Sequence, residues 1–131
     1  MTTLAADRWL YTTMTGDSVL YALIGDRVYA DVAPQGTAYP VVIITFVSSR
    51  HIGNISQDRV YDDELWQITA WDDDPSYATL EQIADRIRAI LHKASGSGVI
   101  AAVYEGMRRI NQIESGRIYK GIVLEVRIFV Q

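Results

Sequence analysis

Ile118-Tyr119-Lys120-Gly121-Ile122-Val123-Leu124-Glu125-Val126-Arg127-Ile128-Phe129-Val130 is the stretch on which the fold turns. Ile122, Leu124, Val126, Ile128 and Val130 take every second position, and Val123, Glu125, Arg127 and Phe129 take the alternate ones. Period two marks a strand with one face in a core. A long strand of this kind asks for a mostly antiparallel sheet with helices over the buried face.

Working outward, Glu114-Ser115-Gly116-Arg117 reads as a hairpin turn, preceded by strands over Arg108 to Ile113 and Val99 to Tyr104. Ser95-Gly96-Ser97-Gly98 reads as a flexible link after a helix. Asp74-Pro75 predicts the start of that helix, with Asp74 as cap and Pro75 in the first turn, running to about Lys93. Tyr77, Leu80, Ile83, Ala84, Ile87, Ile90 and Leu91 form its apolar stripe. Val60 to Trp71 predicts a strand with Leu65, Gln67, Thr69 and Trp71 on one face and Trp66, Ile68 and Ala70 on the other. Ser49 to Arg59 is polar and without period, so it is expected as the longest irregular and mobile stretch. Val41 to Ser48 is expected as a central strand covered on both faces.

Pro34-Gln35-Gly36-Thr37-Ala38-Tyr39-Pro40 is a loop, and Val28 to Ala33 a strand before it. Leu4, Ala5, Trp9, Leu10 and Met14 suit a helix stopped at Gly16. Asp17 then caps a second helix, Ser18 to Ile24, that ends at Gly25. The expected class is α+β in the order ααβββαβββ. It is one domain over residues 1–131, without an internal repeat.

The chain has 131 residues, 49% of them hydrophobic, enough for a core that hides about two-thirds of the unfolded surface. Charged residues are 21%, and 3 Trp, 8 Tyr and 2 Phe argue against disorder. Net charge is -4, from 12 basic and 16 acidic residues, which speaks against non-specific nucleic-acid binding. No cysteine is present, so disulfides, thiolate zinc sites, iron–sulfur clusters and cysteine nucleophiles are excluded. The first residues do not read as a secretory signal, and the longest apolar run, around Val41–Val47, is too short to span a bilayer. A reducing cytoplasm is the expected place of synthesis.

Asp72-Asp73-Asp74 is the densest acidic run. A divalent metal needs converging oxygens, and adjacent strand residues diverge, so a turn into the helix is the better reading. Asp62-Asp63-Glu64 opens a strand, where it reads as a solvated edge or as a patch for a basic partner. Arg108, Arg109, Arg117 and Lys120 form the opposite pole, a candidate contact for an acidic neighbour. His51 and His92, the two histidines, have no nucleophile or orienting acid beside them in the sequence. No glycine-rich phosphate loop occurs. Trp66 and Trp71 lie on opposite faces of one strand and cannot form one cage.

Gly25-Asp26-Arg27-Val28-Tyr29, then Ala33-Pro34-Gln35-Gly36-Thr37-Ala38-Tyr39-Pro40-Val41-Val42, carry a more specific signal. With Leu65 to Trp71, the helix Tyr77 to Leu91 and the strand Gly121 to Val130, the chain resembles a family over nearly its whole length. That family is the tail-terminator and tail-completion proteins of long, non-contractile-tailed phages, including domain of unknown function 3168.

The resemblance implies a small α+β protein, without cofactor or catalytic residues. It implies a ring, usually a hexamer, that caps a finished tail tube, ends its growth and offers a surface to the head connector. The implied partners are the ring's own copies, the tail tube protein and the head–tail connector protein, with no membrane. DNA would pass through the channel without specific binding. The implied place is the tail or neck of a virion or gene-transfer-agent-like particle, assembled in the host cytoplasm.

A ring needs two different complementary patches per subunit. Asp62, Asp63, Glu64, Asp72 and Asp73 are the expected acidic contacts, and Arg108, Arg109, Arg117 and Lys120 the basic ones. Arg50, His51, Asn54, Gln57 and Arg59 belong to the expected docking loop. The rival readings are a connector adaptor of the same neck, a small metal-dependent enzyme using the aspartates, and a ligand module using the tryptophans.

Overall fold

The alternating C-terminal segment folds as β5, Arg117–Val130, and lies inside a five-stranded sheet. The computed structural model describes residues 2–53, 59–96 and 98–131. The other elements are α1 (Thr2–Thr15), α2 (Ser18–Ile24), β1 (Val28–Ala30), β2 (Val41–Gly53), β3 (Arg59–Asp72), α3 (Ala78–Leu91) and β4 (Val99–Glu114). The sheet order is β1-β2-β3-β5-β4, with β1 parallel to β2 and every other pair antiparallel. The fold is α+β, as the pattern implied.

One face of the sheet carries the core. Ile122, Leu124, Val126, Ile128 and Val130 of β5 join Trp66, Ile68 and Ala70 of β3 and Val42 and Ile44 of β2. Leu10 and Met14 of α1, Leu20 and Ile24 of α2, and Leu80, Ile83, Ile87 and Leu91 of α3 cover them. The stripe on α3 is buried because its spacing of three and four puts it on one side of the helix. Asp17 caps α2 as expected, its carboxylate accepting from the Leu20 amide at 2.9 Å.

Several boundaries differ from the sequence reading, each for a local reason. The first strand stops at Ala30, because Asp31 takes φ 63° and the Val32 amide turns back to the Ala30 carbonyl. The second strand does not stop at Ser48. It runs to Gly53, with Arg50, His51 and Ile52 paired to Asp63, Asp62 and Tyr61, so residues 49–53 are strand rather than loop. Val99–Tyr104 and Arg108–Ile113 are one strand, bent by a bulge between Tyr104 and Gly106. The third helix starts at Ala78 rather than Pro75, since Asp74 spends its Oδ1 on the Ser76 amide and so closes a turn. Gly96 is not a free linker. It packs under Trp9, where a Cβ would fall 2.3 Å from the indole nitrogen.

Two hairpins extend toward opposite ends of the sheet. β2 and β3 pair antiparallel out to Gly53 and Arg59. β4 and β5 turn at Ser115 and Gly116, with φ 52° and 78°. Positive φ at both positions is the type I′ geometry that suits the twist of the strands.

Candidate assembly surfaces

On the β2–β3 arm, the strand pairing places Arg50 across from Asp63 and His51 across from Asp62. Asp63 accepts from the Arg50 guanidinium at 3.3 Å and from Arg127 of β5 at 3.0 Å. Arg127 reaches on to Glu105 of β4 at 3.1 Å. A chain of four charges therefore crosses the sheet face that no helix covers. His51 Nδ1 lies 3.5 Å from Asp62. Glu64 is fully buried and accepts from the Trp66 indole at 3.0 Å. β3 is the central strand of the sheet, so Asp62-Asp63-Glu64 does not guard an edge. Asn54 and Gln57 lie outside the described residues, and Arg59 opens β3.

The β4–β5 arm is organised around aromatic rings. Tyr77 donates its hydroxyl to the Ile110 carbonyl at 3.2 Å. Over the same ring sit the Arg109 guanidinium, 4.4 Å from the centroid, and the Lys120 ammonium at 4.9 Å. Arg109 also bonds Glu81 of α3. Tyr119 and Tyr39 stack with centroids 5.3 Å apart, and Arg117 lies over Tyr119 while pairing with Asp73 at 3.2 Å. Arg108 pairs with Glu125 at 3.0 Å on the uncovered face.

Asp72 is register-paired with Lys120, and its Oδ1 accepts from the Asp73 and Asp74 amides at 2.8 and 3.4 Å. Burial pushes its carboxyl above the ordinary carboxylate value, against those two hydrogen bonds. Between this arm and the 31–40 loop a crevice of about 480 Å³ opens over Val41, Ile43 and Trp71, walled by Tyr39 and Tyr119. Burial also pushes the Tyr39 hydroxyl up.

The structure thus brings Asp73 to Arg117 within one chain and keeps the Asp62–Glu64 run away from Arg108 and Arg109. Trp66 and Trp71 fall on opposite faces, so no cage forms. Sequence reasoning missed Tyr77, Glu81, Glu105, Glu125 and Arg127 as partners of the charges. Glu125 and Arg127 were visible on the second face of the alternation. Glu81 of α3 gave no local signal, and Tyr77, at the cap of α3, was read only as part of the helix's apolar stripe. A tight pair elsewhere, Asp17 with Arg86 at 2.6 Å, ties α2 to α3.

His92 accepts the Tyr104 amide at Nδ1, 3.1 Å away. Among the described residues no group of three or more His, Asp and Glu side chains gathers to hold a metal ion. Among them, too, no helix is long and apolar enough to cross a membrane.

The family model described as Tail completion protein gp17 matches residues 8–130. Among solved structures, a chain of the virion of a native gene transfer agent (GTA) particle is similar, with a TM-score of 0.66 and 20% identity. That likeness covers 92% of this chain and 90% of the other. No curated protein matches this sequence.

Proposed function

This chain belongs to the Tail completion protein gp17 family, and we propose that it is a tail structural protein of a phage or gene-transfer-agent-like particle that closes the tail tube. In this reading a single domain, residues 1–131, assembles into a ring, a hexamer by the family's usual count. The ring caps the finished tube, ends its growth and presents its other side to the head–tail connector. It acts by contact, without catalysis or cofactor. It is assembled in the host cytoplasm and sits at the neck of the particle, and DNA slides through without specific binding.

The observation that carries the reading is the family match over nearly the whole chain. Two chemically different ends on one sheet support it, since a capping ring must meet two different neighbours. One end offers Arg50 and His51, backed by the buried Asp62, Asp63 and Glu64, and is proposed to include Arg59 and the docking-loop residues Asn54 and Gln57. The other offers Asp72, Asp73, Arg108, Arg109, Arg117 and Lys120. We assign these two groups to contacts with tube, connector or neighbouring subunit.

Negative-stain electron microscopy with native mass spectrometry, on the protein alone and with its own tail tubes, tests this. Rings, or density on one end of each tube, are the expected result. A chain that stays monomeric and ignores tubes overturns it. A chain that ignores tubes but binds the portal-side ring is a connector adaptor instead.

A further inference from the structure

Two strand edges of similar length are left open on opposite sides of the sheet. β1 covers only Val42 to Ile44 of β2, which continues to Gly53. The outer edge of β2 from Thr45 onward therefore has no strand neighbour among the described residues. On the other side, the start of β4 is covered. Lys93 and Ala94 bond both backbone groups of Ala102, and His92 takes the Tyr104 amide. From Gly106 to Glu114 no such backbone partner occurs among the described residues. Open edges are templates for pairing with another chain.

The hydrogen-bonding parity of both edges follows from the strand pairing. Glu114 and Arg117 close a two-residue turn, so they form a bonded pair, and alternation turns Met107, Arg109, Asn111 and Ile113 outward. On β2, the Val42 amide and the Ile44 carbonyl bond β1 and its extension. The bulge between Phe46 and Ser48 then shifts the outward set to Ser49 and His51. Exposed apolar side chains flank both edges: Phe46 and Val47 at 38% and 45%, Met107 and Ile113 at 42% and 70%.

We propose that a second copy of this chain adds the outer edge of its β4 to the outer edge of β2, making one antiparallel sheet across the subunit boundary. The inference rests on the ring reading above and names its interface. β2 and β4 run in opposite directions in the sheet, so copies related by rotation present them antiparallel. The contact joins two different edges, the heterologous type that closes rings.

One register fits the bulge. It sets Ile113 against Phe46, Asn111 against Ser49 and Arg109 against His51 on the helix side. On the other face it sets Gln112 against Ser48, Ile110 against Arg50 and Arg108 against Ile52. No two Lys, Arg, Asp or Glu side chains meet in it. In this register each neighbour is stepped about nine residues along the strands. That is ~30 Å against a four-strand repeat of ~19 Å, so the strands run at about 30° to the ring plane.

The chain has no cysteine, so a designed cross-link reads cleanly. The Ser49→Cys/Asn111→Cys double variant, mildly oxidised alone and on tubes, should give a non-reducing ladder of covalent multimers up to the ring size. Each single variant should give none beyond a dimer. Asn111→Pro removes an outward amide, which an edge strand tolerates, so its circular dichroism should match the parent while assembly falls at least tenfold. Rings that persist in Asn111→Pro, or rings of the double variant that never cross-link, overturn the edge assignment and leave the ring reading standing. A parent chain that stays monomeric with and without tubes overturns both.

Discussion

The two arms of the sheet are the same topological unit, an antiparallel hairpin, and are held in different ways. The β2–β3 arm is held by charge. Asp63 sits nearly buried between Arg50 and Arg127, and no helix packs over that face. The β4–β5 arm is held by rings. Tyr77 carries Arg109 and Lys120, and Tyr39 stacks on Tyr119. The difference follows from what each arm can reach. The β4–β5 arm passes the entry to α3 and the 31–40 loop, which supply aromatic surface. The β2–β3 arm, away from both, relies on neighbours within the sheet. The aromatic support is short-ranged and less sensitive to salt. The charged support depends on ions and on Asp63 in particular.

The largest expected effect strikes the aromatic arm. Gly121 lies where a Cβ would fall 3.0 Å from both Ile110 Cγ1 and the Trp71 ring. Gly121→Val should therefore destabilise the protein by about 3 kcal/mol, read as a lower urea midpoint. An unchanged midpoint would mean that the Trp71 side of this arm is loosely packed.

Next comes the charged arm. Asp63→Ala leaves two guanidinium groups without their shared acceptor and should cost about 2 kcal/mol, tempered because both can turn to water. Hydrogen exchange should rise in β2 and β3 and stay level around Tyr119. Equal loosening of both arms would erase the contrast.

Asp17 with Arg86 serves as a control outside both arms. The Arg86 hydrogen bond holds the Asp17 carboxyl down to about 2, against 3.8 unperturbed. Because the folded value is the lower one, this stabilisation is present above the unfolded value and is lost as pH falls through about 2. Asp17→Asn should cost about 1 kcal/mol at pH 7, discounted for the part-exposed guanidinium, and progressively less in acid.

The smallest effect is salt. At 1 M the screening length is about 3 Å, so exchange in the charged arm should quicken roughly twofold, with less change in the aromatic arm. Equal responses would show that the Asp73–Arg117 and Arg108–Glu125 pairs matter as much as the network at Asp63.

Period and punctuation made much of the fold readable. The β5 alternation, the α3 stripe, the Asp17 cap and the turn at Gly116 each depend on residues within a few positions of one another. Readings failed where a distant partner decided. Residues 49–53 look like loop until Asp62 and Asp63 are placed opposite Arg50 and His51. Asp74 looks like a helix cap until the Ser76 amide claims it. The strand from Val99 to Glu114 looks broken because Glu105-Gly106 interrupts its period, and a bulge absorbs the interruption.

The candidate surfaces were legible as charges and not as pairs. Arg109 meets Glu81 across 28 positions and Arg117 meets Asp73 across 44, separations that no local pattern encodes. The open edges of β2 and β4 were invisible for the same reason, since an edge exists only once strand order is known.

The seating of the three tryptophans gives the molecule built-in optical reporters. Trp9 rests on Gly96, where α1 meets the segment leading into β4. Trp66 lies 1% exposed in the core with its N–H bonded to Glu64. Trp71 lies on the uncovered face beside Gly121. Their emission should differ in wavelength and in access to quencher, so variants keeping one indole each would report separately on helix docking, core integrity and the open face. A change at that face on assembly would then be seen in Trp71 alone, without any attached dye.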